Sequence, residues 1–145
     1  MNDIILVSGG FDPIHSGHID LIEDASKYGD VVVLLNSDAW LIQKKGREFL
    51  PYEERKIIMS ALKNVIDVIS FDDSDQTCVE GIRKAIEKYP NQKIKFANGG
   101  DRSHNTTPSP ETAYCEQNKV EVLWGIGGHN KSNSSSWILK KWLQK

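Results

Sequence analysis

Gly9-Gly10-Phe11-Asp12-Pro13-Ile14-His15-Ser16-Gly17-His18 is the stretch on which the reading of this chain turns. Before it runs Ile4-Ile5-Leu6-Val7, an apolar and partly β-branched segment that reads as a buried strand. After it come Ile19, Leu21, Ile22, Ala25 and Tyr28, spaced like one face of a helix. The pattern predicts a strand over residues 3–8, a glycine-rich turn, and a helix over about 17–28. A turn of this kind aims backbone N–H groups and the positive end of a helix at whatever lies above it. Its natural tenant is a phosphate.

His15 and His18 set this turn apart from a plain phosphate cradle. Holding a phosphate requires only backbone, Lys or Arg. Two imidazoles at the mouth of a helix are donors placed where charge builds up in a reaction. They are charge-assisted if protonated. Neutral donors are equally open, because a helix N-terminus disfavours an added proton. The bland alternative is a glycine turn with two solvent-facing histidines. His104 and His129 stand alone in sequence, and neither Cys78 nor Cys115 has ligand spacing to the pair, so no metal-ligating set is assigned.

Working outward, strand and helix patterns alternate to the end of the chain. Strands are expected at 31–35, 65–70, 94–97 and 120–124. Helices are expected from Pro51 through Leu62, at 79–89 before Pro90, at 110–118 and at 134–143. The alternation predicts a doubly wound, Rossmann-like α/β fold: one parallel five-stranded sheet with helices on both faces, in a single domain over residues 1–145. Ligands of such sheets bind beyond the carboxyl ends of the strands. Each strand is followed there by small, polar or basic residues: Asn36-Ser37-Asp38, Asp72-Asp73-Ser74-Asp75, Asn98-Gly99-Gly100-Asp101-Arg102, and Gly125-Ile126-Gly127-Gly128.

Composition narrows the function classes. The net charge of −2 supplies no basic field for nucleic acid. No apolar run reaches the roughly 18 residues of a membrane helix. Residues 1–8 lack a basic leader, and two cysteines do not make a disulfide framework, so a cytoplasmic protein with free thiols is expected.

Lys44, Lys45 and Arg47 are expected in a loop after the second strand, where cations could neutralise a triphosphate. Ser134-Ser135-Ser136 open the last helix, either as plain caps or as hydroxyls and N–H groups for β- and γ-phosphates. Asp12 could orient an acceptor, hold Mg²⁺ or cap the turn. Phe11 is expected in the core. Trp40, Trp124 and Trp137 flank the proposed site.

Gly-Gly-Phe-Asp-x-x-His-x-Gly-His after a first strand resembles the motif of the HxGH nucleotidyltransferase superfamily. Asn36-Ser37-Asp38-Ala39, Gly46 and Pro51-x-x-x-Arg55 resemble its heptose-1-phosphate adenylyltransferase and glycerol-3-phosphate cytidylyltransferase branch. The resemblance implies transfer of NMP from an NTP to a phosphorylated sugar or polyol, with pyrophosphate leaving. It implies catalytic roles for His15, His18 and a loop lysine, which Lys45 matches best and Lys44 second. Nucleotide and phosphate contacts fall on Gly9, Gly10, Phe11, Gly17, Arg55 and Ser134 to Ser136. Glu54 and Arg55 match an acidic-basic pair, whose alternative is a surface ion pair worth little. Acceptor or ribose contacts fall on Asp12, Asp38, Gly100, Asp101 and Arg102. Mg²⁺ would come with the NTP, and a homodimer is a family expectation.

Lys63-Asn64-Val65-Ile66-Asp67 carries no arginine where the family's cytidylyltransferases have Arg-Tyr-Val-Asp. That puts ATP ahead of CTP. Two alternatives stay open: a pantetheine-phosphate-type adenylyltransferase, and a non-catalytic nucleotide sensor that needs the glycine turns but not both histidines. A fragment resembling a class I tRNA synthetase, with a similar His-x-Gly-His, asks for more length and basic charge than this chain has.

Overall fold

Ile4, Ile5 and Leu6 are wholly buried and Val7 is 1% exposed. A strand buried on both faces belongs at the centre of a sheet, and that is where the computed structural model puts it. The structure describes residues 2–99, 109–127 and 135–144, without the side chains of 98, 99 and 135–137. Its strands are β1 (Ile4–Gly9), β2 (Asp30–Leu35), β3 (Val65–Ser70), β4 (Ile94–Gly99) and β5 (Glu121–Ile126). They form one five-stranded sheet in the order β3-β2-β1-β4-β5, and every pairing is parallel. The doubly wound sheet expected from the alternation is present.

Between the strands lie α1 (Ser16–Ala25), α2 (Asp38–Lys45), α3 (Tyr52–Ala61), α4 (Val79–Lys88) and α5 (Pro110–Gln117), and α6 (Ser135–Leu143) follows β5. Side chains alternate across a strand, so β1 feeds two cores. Ile4 and Leu6 join Val32, Leu34, Phe96 and, from α4 and α5, Ile82, Ala85 and Cys115. Ile5 and Val7 join Val31, Val33, Leu35 and, from α1 and α3, Ile22, Ala25 and Met59. Each such side chain withdrawn from water contributes about 1.5–3 kcal/mol. The chain winds outward through β1, β2 and β3, then crosses back through α4 to place β4 on the other side of β1. The switch point therefore lies over the carboxyl end of β1, at the Gly9–His18 turn.

Two expectations are corrected. The helix predicted over about 17–28 ends at Ala25, where the N–H of Ser26 turns back on Asp24 and Ile22. The chain must then leave, because Asp30 already pairs its N–H with the carbonyl of Asp3 at 2.8 Å to start β2. Lys44 and Lys45 are not in a loop. They form the last turn of α2, whose periodicity is faint because only Leu41 is buried. Its caps are plain: the Ser37 hydroxyl accepts the Trp40 N–H, and Gly46 stops the helix in the left-handed region at φ +93°.

Candidate active site

The first turn of α1 is built from the two histidines. His15 is the N-cap, and its Nδ1 accepts the Gly17 N–H at 3.1 Å. His18 reaches back, its Nδ1 accepting the His15 N–H at 3.2 Å. Together they make a capping box, a device in which two otherwise orphaned backbone donors are satisfied reciprocally. The rings stack with centroids 3.8 Å apart, and Phe11 meets His18 edge-on at 4.8 Å. A nitrogen that accepts a backbone N–H carries no proton, so each neutral ring holds its hydrogen on Nε2. Two stacked rings at the positive end of a helix are poor company for a second proton. Of the two protonation readings open from the sequence, this geometry favours neutral Nε2–H donors.

Lys45 comes to the same turn from α2. Its Nζ donates to the Asp12 carbonyl at 2.6 Å. Partial burial is the main reason its ammonium is held below its ordinary value of 10.5; Asp12 raises it, and Lys44 and Arg55 lower it further. Lys44 turns elsewhere, its Nζ 4.6 Å from the centre of the Trp40 ring. Trp40 also borders Gly10, as does Leu41. A Cβ at Gly10 would lie 2.6 Å from Leu41 Cδ2, so the absence of a side chain lets α2 close on the motif.

Two expected ligand contacts, Arg55 and Asp12, are buried and serve the protein itself, and a third, Asp38, pairs with one of them. Arg55 is 1% exposed, and it is neither a surface partner of Glu54 nor open to a phosphate. Its Nε donates to Leu50 O at 2.9 Å, and its Nη1 donates to Gly10 O at 3.0 Å and Asn36 O at 2.8 Å. Its Nη2 holds Asp38 Oδ1 at 2.7 Å. Asp38 thus stands in an ion pair. Asp12, 2% exposed, accepts the N–H groups of Phe49 and Leu50 at 2.6 and 2.8 Å, one on each oxygen. Its position fits the capping alternative, with the loop before α3 as the thing capped. Sequence reading gave Arg55 and Asp12 outward roles because charged residues are seldom fully buried.

Asn36 and Asp73 are buried polar residues to which sequence reading assigned no role. Asp73 Oδ2 accepts from Asn36 Nδ2 at 2.9 Å and Ser37 N at 2.8 Å, and its Oδ1 accepts from Ser37 Oγ at 2.6 Å. In the sequence Asn36 is marked only as part of the Asn36-Ser37-Asp38-Ala39 run, and Asp73 only by its place just past a parallel strand. Gly9, Phe11 and Gly17 stand in the turn as expected, Phe11 being buried at 5%. Gly127, after β5, donates its N–H to Asp24 Oδ2 on α1 at 2.7 Å, drawing that strand exit towards the first helix. Ser135 and Ser136 open α6. Ser134, Gly100, Asp101 and Arg102 lie outside the described residues, as do the side chains of Ser135, Ser136 and Trp137. Among the described residues, no three His, Cys, Asp or Glu side chains form a group that could hold a metal ion. No described helix is long and apolar enough to cross a membrane.

A histidine pair capping the helix after the first strand, at the switch point of a parallel sheet, is the arrangement that the motif resemblance implies. A family model described as cytidylyltransferase-like matches residues 6–129. The chain belongs to the cytidylyltransferase-like family. The cytidylyltransferase-like chain is 33% identical to the bifunctional protein HldE of Citrobacter koseri over 98% of its own length and 28% of that protein's. It is 30% identical to HldE of Geobacter sulfurreducens over 94% of its length and 27% of that protein's. The chain thus spans under a third of these curated relatives. Among solved structures, the lipopolysaccharide core biosynthesis protein of Thermoplasma volcanium superimposes with a TM-score of 0.64 at 21% identity, over 86% of this chain and 94% of that one. The nicotinic acid mononucleotide adenylyltransferase of Plasmodium falciparum gives 0.56 at 16% identity, over 97% and 83%. At these identities the structural likenesses speak for the fold.

Proposed function

We propose that this cytidylyltransferase-like domain transfers NMP from an NTP, ATP ahead of CTP, to a phosphorylated sugar or polyol. The observation that carries the reading is the meeting of three groups on one turn. The Nδ1 atoms of His15 and His18 are committed to the helix start, and Lys45 Nζ sits on the Asp12 carbonyl.

The acceptor's phosphate is largely dianionic at pH 7, its second pKa being about 6, and needs no protein nucleophile. An acceptor oxygen attacks the α-phosphorus in line. The new P–O bond forms as the bond to the β-phosphate breaks, and pyrophosphate leaves with the electron pair. The protein's part is positioning and charge neutralisation. The Nε2–H groups of His15 and His18 donate to the transferring phosphoryl group and the bridging oxygen, and Lys45 neutralises the α-phosphate. Because these donors are set before the reaction, they cost no reorganisation during it.

Mg²⁺ enters as part of the NTP substrate. The described residues offer it no ligand set of their own, and the Asp12 oxygens are taken. The start of α6, with Ser134 to Ser136, is the proposed seat of the β- and γ-phosphates, and Gly100, Asp101 and Arg102 of the ribose or acceptor. Arg55 acts on the ligand only through the loops it holds, while Asp38, whose side chain is 39% exposed, stays with Gly100, Asp101 and Arg102 as a proposed ribose or acceptor contact. A cytoplasmic homodimer completes the reading.

The test is pyrophosphate release with each of the four NTPs and Mg²⁺ against phosphorylated sugars, polyols and phosphopantetheine. Release with one NTP and a sugar or polyol phosphate supports the reading and names both substrates. Release only with phosphopantetheine replaces the acceptor class. Tight NTP binding with no release across the panel would leave an acceptor outside the panel or a sensor, and NTP binding by His15→Ala and His18→Ala would choose between them.

A further inference from the structure

The short helix that carries Lys45 is gripped from outside at both ends. α2 has eight residues and one buried apolar side chain. A helix that short has little stability of its own, so where it points depends on its ties. Asp73, just beyond β3 and 4% exposed, holds the start. It takes Asn36 Nδ2 and Ser37 N on one oxygen and the Ser37 hydroxyl on the other. Giving its proton to Asp73 leaves the Ser37 hydroxyl a lone pair for the Trp40 N–H at 3.1 Å, so the carboxylate orients the helix cap itself. Three residues on, Gln76 Nε2 donates to Gln43 Oε1 at 2.7 Å, two residues before Lys45.

A carboxylate this deeply buried is costly unless its lone pairs are filled. Here three donors fill them, and all three come from the exit of β2. Neighbouring parallel strands make that meeting unavoidable, since Leu35 pairs with Ser70 at their ends. Eight helical residues span about 12 Å. A tilt of about 10° at Ser37 would therefore move the far end by about 2 Å, more than a site of this kind tolerates.

We propose that Asp73 is a positioning residue. By fixing Asn36 and the Ser37 cap it sets the direction of α2, and so seats Lys45 Nζ against the Asp12 carbonyl. The consequence for turnover rests on the reading of Lys45 as a catalytic group; the seating itself does not.

The test measures the seating directly. Wild type, Asp73→Ala and Asp73→Asn are treated with an amine-methylating reagent under native conditions, and the rate at each lysine is read by peptide mass spectrometry. Lys95 is the internal control for the fold. It too is shielded, at 14% exposure, with its Nζ on Tyr28 O at 2.9 Å and on Asp3, far from the strand exits. In Asp73→Ala, Lys45 should react about fivefold faster while Lys95 keeps its rate, the change expected when a helix cap is lost and the helix opens locally. Asp73→Asn, whose amide oxygen still accepts from Asn36 and Ser37, should recover most of the protection. An unchanged Lys45 rate in Asp73→Ala overturns the proposal. Should Asp73→Ala fail to fold, with Lys95 rising too, Ser37→Gly decides, because glycine is a tolerated N-cap but lacks the hydroxyl that Asp73 holds. A faster Lys45 there with Lys95 unchanged upholds the proposal, and a wild-type Lys45 rate overturns it. Full turnover in Lys45→Ala would sink the catalytic reading of Lys45 and leave the labelling result standing, so the two failures are separable.

Discussion

At the scale of the residue, the capping that each histidine performs and the donor role proposed for it fall on two different nitrogens, and they can be taken apart. Asparagine is among the best N-caps, and its Oδ1 can accept where Nδ1 did. His15→Asn should therefore melt within about 1 kcal/mol of wild type. It should nonetheless lose about 10²–10³ in kcat/KM, because nothing replaces the Nε2–H donor. Paired urea melts and initial rates check this, and near-wild-type turnover would remove His15 from the chemistry. Lys45 makes a prediction with a definite sign. Burial first, then Lys44 and Arg55, hold its ammonium below 10.5, with Asp12 opposing. Activity should fall on an alkaline limb lying below that value as the ammonium loses its proton. Lys45→Arg, always charged, should be slower but lack that limb, as a pH–rate profile would show.

At the scale of the element, polar side chains hold the strand exits. Arg55 ties Gly10, Asn36, Leu50 and Asp38 together from inside the protein. Removing it strands three carbonyls and a carboxylate that is itself partly in water. Arg55→Ala should cost about 3 kcal/mol, read as a lower urea midpoint. Its NTP affinity per folded molecule should suffer less than that of a variant losing a direct phosphate contact. Gly46 ends α2 with no atom beyond its chain neighbours within 4 Å of where a Cβ would stand. Gly46→Ala should thus carry only the backbone penalty of the left-handed region, about 1 kcal/mol, and a larger loss in the melt would mean that the turn is doing more than ending the helix.

At the scale of the whole molecule, the two cores flanking the sheet make the thiols inert. Cys78 and Cys115 lie in the core that α4 and α5 cover, and burial, with Glu111 nearby, pushes both up to about 12. An aromatic disulfide reagent at pH 8 should leave both untouched until denaturant unfolds the chain. The linkage follows in sign. The folded thiols stay protonated where the unfolded ones, near 9.0, ionise. The thiols' own contribution should be flat below about pH 9 and should lower stability above it, by up to about 1.4 kcal/mol per pH unit for each thiol. Cys78→Ala should flatten that slope in pH-dependent urea melts.

Local patterns determined much of this protein. The apolar run at Ile4 to Val7, the glycine turn and the helical spacing after it made strand, turn and helix legible, because periodicity and turn chemistry act over a few residues. Their alternation along the chain determined a parallel, doubly wound sheet, and His15 and His18 at a helix mouth pointed to phosphoryl chemistry. Faint periodicity hid α2, although Ser37 and Gly46 marked its ends. Only the tertiary structure decided which charges face inward. Arg55 and Asp12 carry no mark in sequence to show that backbone groups about forty positions away would occupy them. Sequence ranked Lys45 ahead of Lys44 through the resemblance alone and could not show where either points: neighbours on a helix point about 100° apart, and only the packing of α2 over Gly10 turns one towards Trp40 and the other towards the histidine turn. The partnership of Asp73 with Asn36 and Ser37 exists because β2 and β3 end side by side, a consequence of strand order, and strand order is set by how the two cores close rather than by any single stretch of chain.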